Sequence, residues 1–549
     1  MKEKWVALSN TILSTLLSTM NITMIIVAMP AIFNAFQFNA GAPDAISYII
    51  WLITGYLIVT ATMVVTFGRL SDMLGRVKLY NVGFVIFTIA SVLLSAVTIK
   101  GDAGILELII YRMVQAVGGG LLMVNGPAIL TDYFPIRERG KAMGLNQISS
   151  VAGTILGLFL GGIFASISWN LIFIINIPFG MIGIIWSYIS LKETVKKSRI
   201  RIDWLGNLVF VISLLLILIG ITYGLVPYGK SSEGWTNPFV IGSIIIGILA
   251  LGMFVLIEKR VKEPMFDISL FKIRDFWTGN FSLFIVSLTR QGLILVLIML
   301  FQGIWLPLNG YSYASTPFWS GIYTMPFMLA FIAMGPVSGY LSDKYGGRIF
   351  TIGGLLATAF GFLLLTIMPY NFNYIWFVPA LFIIGAGMAL FSSPNTADIM
   401  SSVPRKRRSA ASGMRTTITN CAMAISFPLY FAIIFTTMGG ALPSALSSTL
   451  HSSGAPSSII PYISSISPTE ALFSALLGYN PVSSILSGLP EVTAKLSGSI
   501  INKITSLTFF PEAIGSAYMR GFREVVMISA ILLIISAVVS YFKKSGRRS

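Results

Sequence analysis

The sequence predicts an all-α polytopic membrane protein, and three observations carry that reading. Of 549 residues, 55% are hydrophobic and only 10% are charged, with a mean hydropathy of +0.84, whereas soluble domains are about a quarter charged. Apolar runs of about 20 residues, long enough to cross a ~30 Å hydrocarbon core, recur along the chain. Lysine and arginine gather in every second loop between those runs.

The runs fall at 9–33, 46–67, 79–98, 105–130, 142–165, 169–191, 204–226, 237–257, 276–307, 317–341, 349–369, 374–397, 411–437 and 521–542. The first belongs to a charge-free stretch from Trp5 to Pro43. It is too long for a signal peptide, lacks a small-residue cleavage site and is followed by many equivalent segments, so it reads as a span. With both termini placed in the cytoplasm, the cytoplasmic loops hold Arg69, Arg76 and Lys78, then Arg137, Arg139 and Lys141, and on to the run at 405–408. Only Lys100, Lys230, Lys495 and Lys503 fall on the other side, while Arg112, Arg290, Arg415, Arg520 and Arg523 lie within or at the edges of spans. This distribution accounts for the net charge of +17 without nucleic acid.

Composition also excludes chemistry. One cysteine (Cys421) and one histidine (His451) leave no disulfide framework and no Cys/His metal cluster. No phosphate-binding G-x-x-x-x-G-K-[ST] loop is present, so no metal, cofactor or ATP is expected. A single histidine with scattered acids supplies no convergent catalytic groups, and the chain is not expected to be an enzyme.

An internal repeat organises the spans. GRLSDMLGR at 68–76 follows the second span and GYLSDKYGGR at 339–348 follows the tenth. Their offset exceeds the roughly 200 residues that six spans with short loops require, by about two helices. The seventh and eighth spans fit that surplus, giving six plus two plus six: a six-helix half at 1–198, an inserted pair at 199–262 and a second half at 263–549. A stretch at about 439–519, rich in Ser, Gly and Pro yet too apolar for a plain linker, is expected to form a partly folded external cap.

These features carry a resemblance. GRLSDMLGRVK (68–78), YRMVQAVGGG (111–120), GPAILTDYFPIRERGKAMG (126–144), SWNLIFIINIPFG (168–180), DWLG (203–206), EKRVKEPMFDISLF (258–271) and SGYLSDKYGGR (338–348) stand in order and at the spacing of one family. The chain resembles the fourteen-helix drug:proton antiporter branch of the major facilitator superfamily. The resemblance implies the major facilitator fold and a small-molecule transporter of the cell membrane that works by alternating access, with protons as the coupling partner.

Candidate site residues follow from chemistry and from that resemblance together. In the first repeated loop Gly68 and Gly75 permit a tight turn, and Asp72 can accept from Arg76. The resemblance implies a conformational latch there and in its second copy, Gly339, Asp343, Gly346 and Arg348. Arg112 occupies the position of the family's membrane-embedded arginine, with Gln115 one turn on. Arg290, beside Gln291, falls near the bilayer centre, where a cation costs about 2.5–3.5 kcal/mol and normally faces a partner or a wet cavity. Gln302 resembles the family's glutamine near the external mouth. Gly153, Gly157, Gly161 and Gly162 predict close helix packing; the family usually follows the first two with proline, where this chain has Thr154 and Leu158. Asp132, Asp398 and Glu524 read as helix-end caps or surface partners.

The first span departs from the family at its most chemical position. Where the branch commonly keeps an aspartate, this chain has Asn21, followed by Thr23, Ala28 and Pro30. A buried aspartate can carry a proton because burial raises its pKa; an amide cannot titrate. A cavity with Arg112 and Arg290 and no central carboxylate favours anionic or neutral substrates. The leading expectation is export of small organic molecules or drugs. A second is an organic-anion or metabolite transporter not coupled to protons through the first helix, and a third, of another class, is a membrane sensor on a transporter scaffold.

Overall fold

The computed structural model describes residues 2–37, 45–135, 138–193, 203–225, 228, 234–261, 264, 266–404, 407–489, 493 and 496–542. Among the described residues thirteen helices are long and apolar enough to cross a membrane, and a fourteenth, the second in chain order, bent by 52° near its middle, completes the expected set. They are α1 (Lys2–Ala35), α2 (Ala45–Leu74), α3 (Arg76–Ser95), α4 (Gly101–Tyr133), α5 (Arg139–Ile167), α6 (Leu171–Ser190) and α7 (Trp204–Tyr223). There follow α8 (Pro238–Glu258), α9 (Arg274–Leu308), α10 (Thr316–Tyr345), α11 (Gly347–Thr366), α12 (Tyr374–Ser402), α13 (Arg408–Ser452) and α14 (Phe509–Tyr541). Helix is the only backbone solution for such segments in lipid, because every amide must be satisfied internally. Side chains such as Ile189, Leu249 and Trp376 are exposed where lipid surrounds the bundle.

The first helix of each half is the most enclosed. In their most apolar stretches α1 is 83% buried and α9 89%, against 22% for α8 at the periphery. Packing within α1–α6 and within α9–α14 forms two bundles, which meet through α5 against α10 and α2 against α13. The inserted helices α7 and α8 pack on each other, and α7 rests on α2 and α13, against the seam between the halves. The arrangement is six plus two plus six.

Glycines set the closest approaches. A methyl group on Gly153 would lie 2.7 Å from the Leu16 carbonyl oxygen, one on Gly157 2.6 Å from that of Met20, and one on Gly161 2.9 Å from the Met24 Cα. The α1 and α5 backbones therefore touch along three turns. Gly162 does the same across the seam, where a methyl would stand 2.4 Å from the Phe318 Cα.

The structure corrects the boundaries of the stretch at 439–519. Residues 439–452 continue α13 and 509–519 open α14, so these helices of 45 and 33 residues extend to about 68 and 50 Å and project beyond the bilayer. Glu524, expected near a helix end, lies in the middle of α14 and accepts a hydrogen bond from Thr437 at 2.7 Å. The remainder is built as a cap of short helices, including Pro468–Leu477, capped by Ser467 and ended by Gly478 at φ 71°. Its residues 471–477 are buried against α1, α9, α13 and α14, with Phe473 beside Phe431 and Phe435. A linker would leave those apolar residues in water; burying them on four helix ends is what orders the cap.

Candidate functional site

Among the described residues, the candidate side chains build two separate polar centres inside the bundle. The first ties together the four opening helices. Arg112 on α4 donates to the side-chain oxygen of Asn21 on α1 and, at 2.8 Å, to that of Gln115. Gln115 in turn donates to Ser91 on α3 at 2.8 Å. The guanidinium lies 4.5 Å from the centre of the Tyr56 ring on α2. Arg112 is 2% exposed and Asn21 1%, so this is a buried cation held by neutral amides and an aromatic face.

The second centre is a cavity of about 50 Å³ at mid-membrane, with room for roughly three or four waters. Its polar lining comes from Thr19 and Thr23 on α1, Ser150 and Thr154 on α5, and Arg290 and Gln291 on α9. Phe327 and Phe331 from α10 and Met423 from α13 close it with apolar surface. No carboxylate lines it among the described residues, and no ion pair reaches Arg290. Thr154 stands where the resemblance expects proline, so the departure places a hydroxyl on the cavity wall.

The candidates thus separate. Arg290 and Gln291 share the cavity, whereas Asn21, Arg112 and Gln115 form their own cluster and are not among its lining residues. Gln302 lies toward the capped face, in a π-turn at Phe301–Trp305, and donates to Ser320 at 2.9 Å and to the Val27 carbonyl at 3.3 Å. The sequence reading passed over Ser150 and named Thr154 only as a departure from proline, so neither hydroxyl was expected on the cavity wall. Their signal was an i, i+4 pair beside the packing glycines Gly153 and Gly157.

At the face that carries both termini, Arg76 donates to Asp72 at 2.9 Å and to Asp132 of α4 at 2.7 Å. Asp132 is therefore a surface partner, and the partner is the repeated loop. Gly75 takes φ 116°, and its counterpart Gly346 takes φ 94°, a region that L side chains avoid. Glu193, which the sequence did not single out, accepts from the Val77 amide at 3.1 Å with both oxygens, placing a negative charge on the α3 N-terminus. In the second copy Arg348 donates to the Tyr541 carbonyl and lies 4.6 Å from its ring; the Asp343 side chain lies outside the described residues. Gly68 and Gly339 sit against α4 and α12, with a methyl at either 3.6 Å from Val124 or 3.4 Å from Ser393.

Near the capped face, contacts seal the seam between the halves. Gln302 meets Val27, the Phe159 and Phe318 rings lie 5.6 Å apart, and Asn34 donates to the Leu477 carbonyl of the cap at 3.4 Å. Behind them Phe301, Trp305, Tyr323, Phe372 and Tyr374 form one aromatic cluster.

Two six-helix bundles closed around a small polar cavity at mid-membrane define a secondary transporter. Comparison with known proteins agrees. The model of the Major Facilitator Superfamily matches residues 11–259 and 204–428, and the chain belongs to that family. Multidrug transporter protein MdtP of Bacillus subtilis is 26% identical over 99% of this chain and 93% of its own length. Riboflavin transporter RibZ of Clostridioides difficile is 29% identical over 79% of this chain and 89% of its own. In fold the chain is similar to a bacterial homolog of the human lysosomal transporter Spinster, solved inward-facing and unoccupied, with a TM-score of 0.56 and 14% identity over 98% of this chain and 97% of that one.

Proposed function

We propose that this chain exports small organic molecules of anionic or neutral character by alternating access, without proton coupling through its first helix. The observation that carries the proposal is Arg290 in the central cavity, with no carboxylate on the cavity wall among the described residues. An unpaired cation there attracts anions and repels lipophilic cations. Four hydroxyls and the Gln291 amide supply neutral hydrogen-bonding groups around it.

Proton coupling through the first helix requires a titratable group, and Asn21 offers Arg112 an amide oxygen instead. The Arg112 cluster then acts as a strut that keeps α1–α4 together while the halves rock. The loops that hold Gly68, Asp72, Gly75 and Arg76 and, in the second copy, Gly339, Gly346 and Arg348 act as the latch at the termini-bearing face during that motion. The charge distribution supports a cytoplasmic location for both termini. Similarity to a multidrug transporter and to a riboflavin transporter supports small organic molecules as the cargo class.

Substrate counterflow in proteoliposomes tests the transport reading. Trans-side unlabelled organic anion is expected to accelerate entry of the labelled one, which neither an enzyme nor a sensor produces. Absence of counterflow with every anionic and neutral compound tried would overturn it.

A further inference from the structure

Arg415 is a further arginine inside the bundle, toward the termini-bearing end of α13, and neither the Arg112 cluster nor the central cavity uses it. It lies on α13, seven residues in from the termini-bearing end and eight residues, about 12 Å, from Met423 on the cavity wall. The Ser426 hydroxyl bonds the Leu288 carbonyl at 2.6 Å, which fixes the register of α13 beside α9. By that register Arg415 sits about 20 Å from Arg290 along the helix direction. Its Nε is buried without a hydrogen-bond partner, and no carboxylate pairs with it among the described residues.

Its neighbours along the helix show which way it faces. Ser412, Arg415, Thr416, Thr419 and Met423 project within a sector of about 100° at 3.6 residues per turn. All five are partly exposed, whereas Ala411 and Ala422 on one flank of that sector and Asn420 on the other are buried. Four of the five are polar, and a polar, partly exposed stripe on a membrane helix faces a water-filled path, since lipid-facing stripes are apolar. Met423 at its end joins the stripe to the cavity.

We infer that the Arg415 stripe of α13 is a second anion-binding station, lying between the central cavity and the termini-bearing face and receiving the carboxylate, sulfonate or phosphate group of the cargo before Arg290 does. The inference rests on the anionic class proposed above. It gives the path two fixed cations, neither of which is paired with a carboxylate among the described residues. Loss of one charge-assisted contact at the entry station weakens apparent affinity, while the step at Arg290 is left intact.

Thiol labelling tests the station apart from any cargo. On a Cys421→Ala background, Thr419→Cys in the purified full-length protein is exposed to a small anionic and a small cationic methanethiosulfonate reagent. The expected result is that the anionic reagent reacts faster, that Arg415→Gln lowers the anionic-to-cationic rate ratio about tenfold, and that Arg415→Lys keeps it. An unreactive Thr419→Cys, or a ratio that Arg415→Gln leaves unchanged, would overturn the inference. Fluorescein uptake by proteoliposomes separates the two readings. A raised KM with near-normal kcat in Arg415→Gln supports the station. Failure of fluorescein transport in the wild type, with the labelling ratio intact, removes the cargo class and leaves the anion station standing.

Discussion

Arg112 on α4 donates its guanidinium N–H to the side-chain oxygen of Asn21 on α1, deep in the bundle and apart from the central cavity. A buried cation is here satisfied by a neutral amide where a carboxylate would form an ion pair. Asn21→Ala removes that acceptor, and a lost hydrogen bond to a charged group costs about 1.5–3 kcal/mol. Thermal unfolding in detergent should show the loss, with Asn21→Asp at or above wild-type stability.

The same substitution bears on coupling. An imposed pH gradient is expected to leave wild-type transport unchanged, because no titratable group occupies position 21. Asn21→Asp supplies one, so its transport should respond to the gradient. Full gradient-driven transport by the wild type would mean that another residue carries the proton.

Backbone contact between α1 and α5 predicts a graded glycine series. Gly157→Ala forces its new methyl to within 2.6 Å of the Met20 carbonyl oxygen, and overpacking of this kind costs about 1–3 kcal/mol. Gly144→Ala, on the same helix with nothing within 4 Å, should be neutral. Melting temperatures of the two variants in one detergent check the contrast.

Gly75 and Gly346 separate strain from collision. Both have positive φ, but a methyl on Gly75 would also lie 2.4 Å from a Glu193 oxygen, whereas none meets anything within 4 Å at Gly346. Gly346→Ala should cost only the backbone strain, about 1–3 kcal/mol. Gly75→Ala should cost more, and Glu193→Ala in the same chain should recover the difference, read as a double-mutant cycle of unfolding temperatures.

The cap carries a pH dependence. Burial holds the Glu470 carboxyl above its ordinary value. The docked cap therefore binds that proton more tightly than the undocked one, and its stability falls as pH rises through the carboxylate range. Hydrogen-exchange protection factors across residues 466–478, taken relative to the intrinsic rate at each pH, should fall over that rise. Glu470→Gln should flatten the profile and protect the segment at neutral pH.

Much of the fold was legible because a bilayer enforces its rules on sequence. Helix positions, the repeat and the inserted pair follow from apolar length and from the loops around Asp72 and Arg348. The cap was harder to read: Ala471–Leu477 is too short to look like a span, and its burial depends on four helix ends brought together by the fold. The site was legible by type and not by grouping. Arg112 and Arg290 were both marked by their charge, but only three-dimensional packing separates the arginine held by Asn21 from the arginine left facing the cavity. Ser150 was invisible, and Thr154 was seen only as a missing proline, for a related reason, since hydroxyls are common in membrane helices and only their position at the α1–α5 contact gives them a surface on the cavity.

Transport of fluorescein and tetraphenylphosphonium by the same proteoliposomes, with Arg290→Gln alongside, tests the central claim most directly. The account predicts fluorescein flux well above that of protein-free vesicles, lost in Arg290→Gln, and no flux of the phosphonium cation above background. Strong phosphonium transport without fluorescein transport would contradict it.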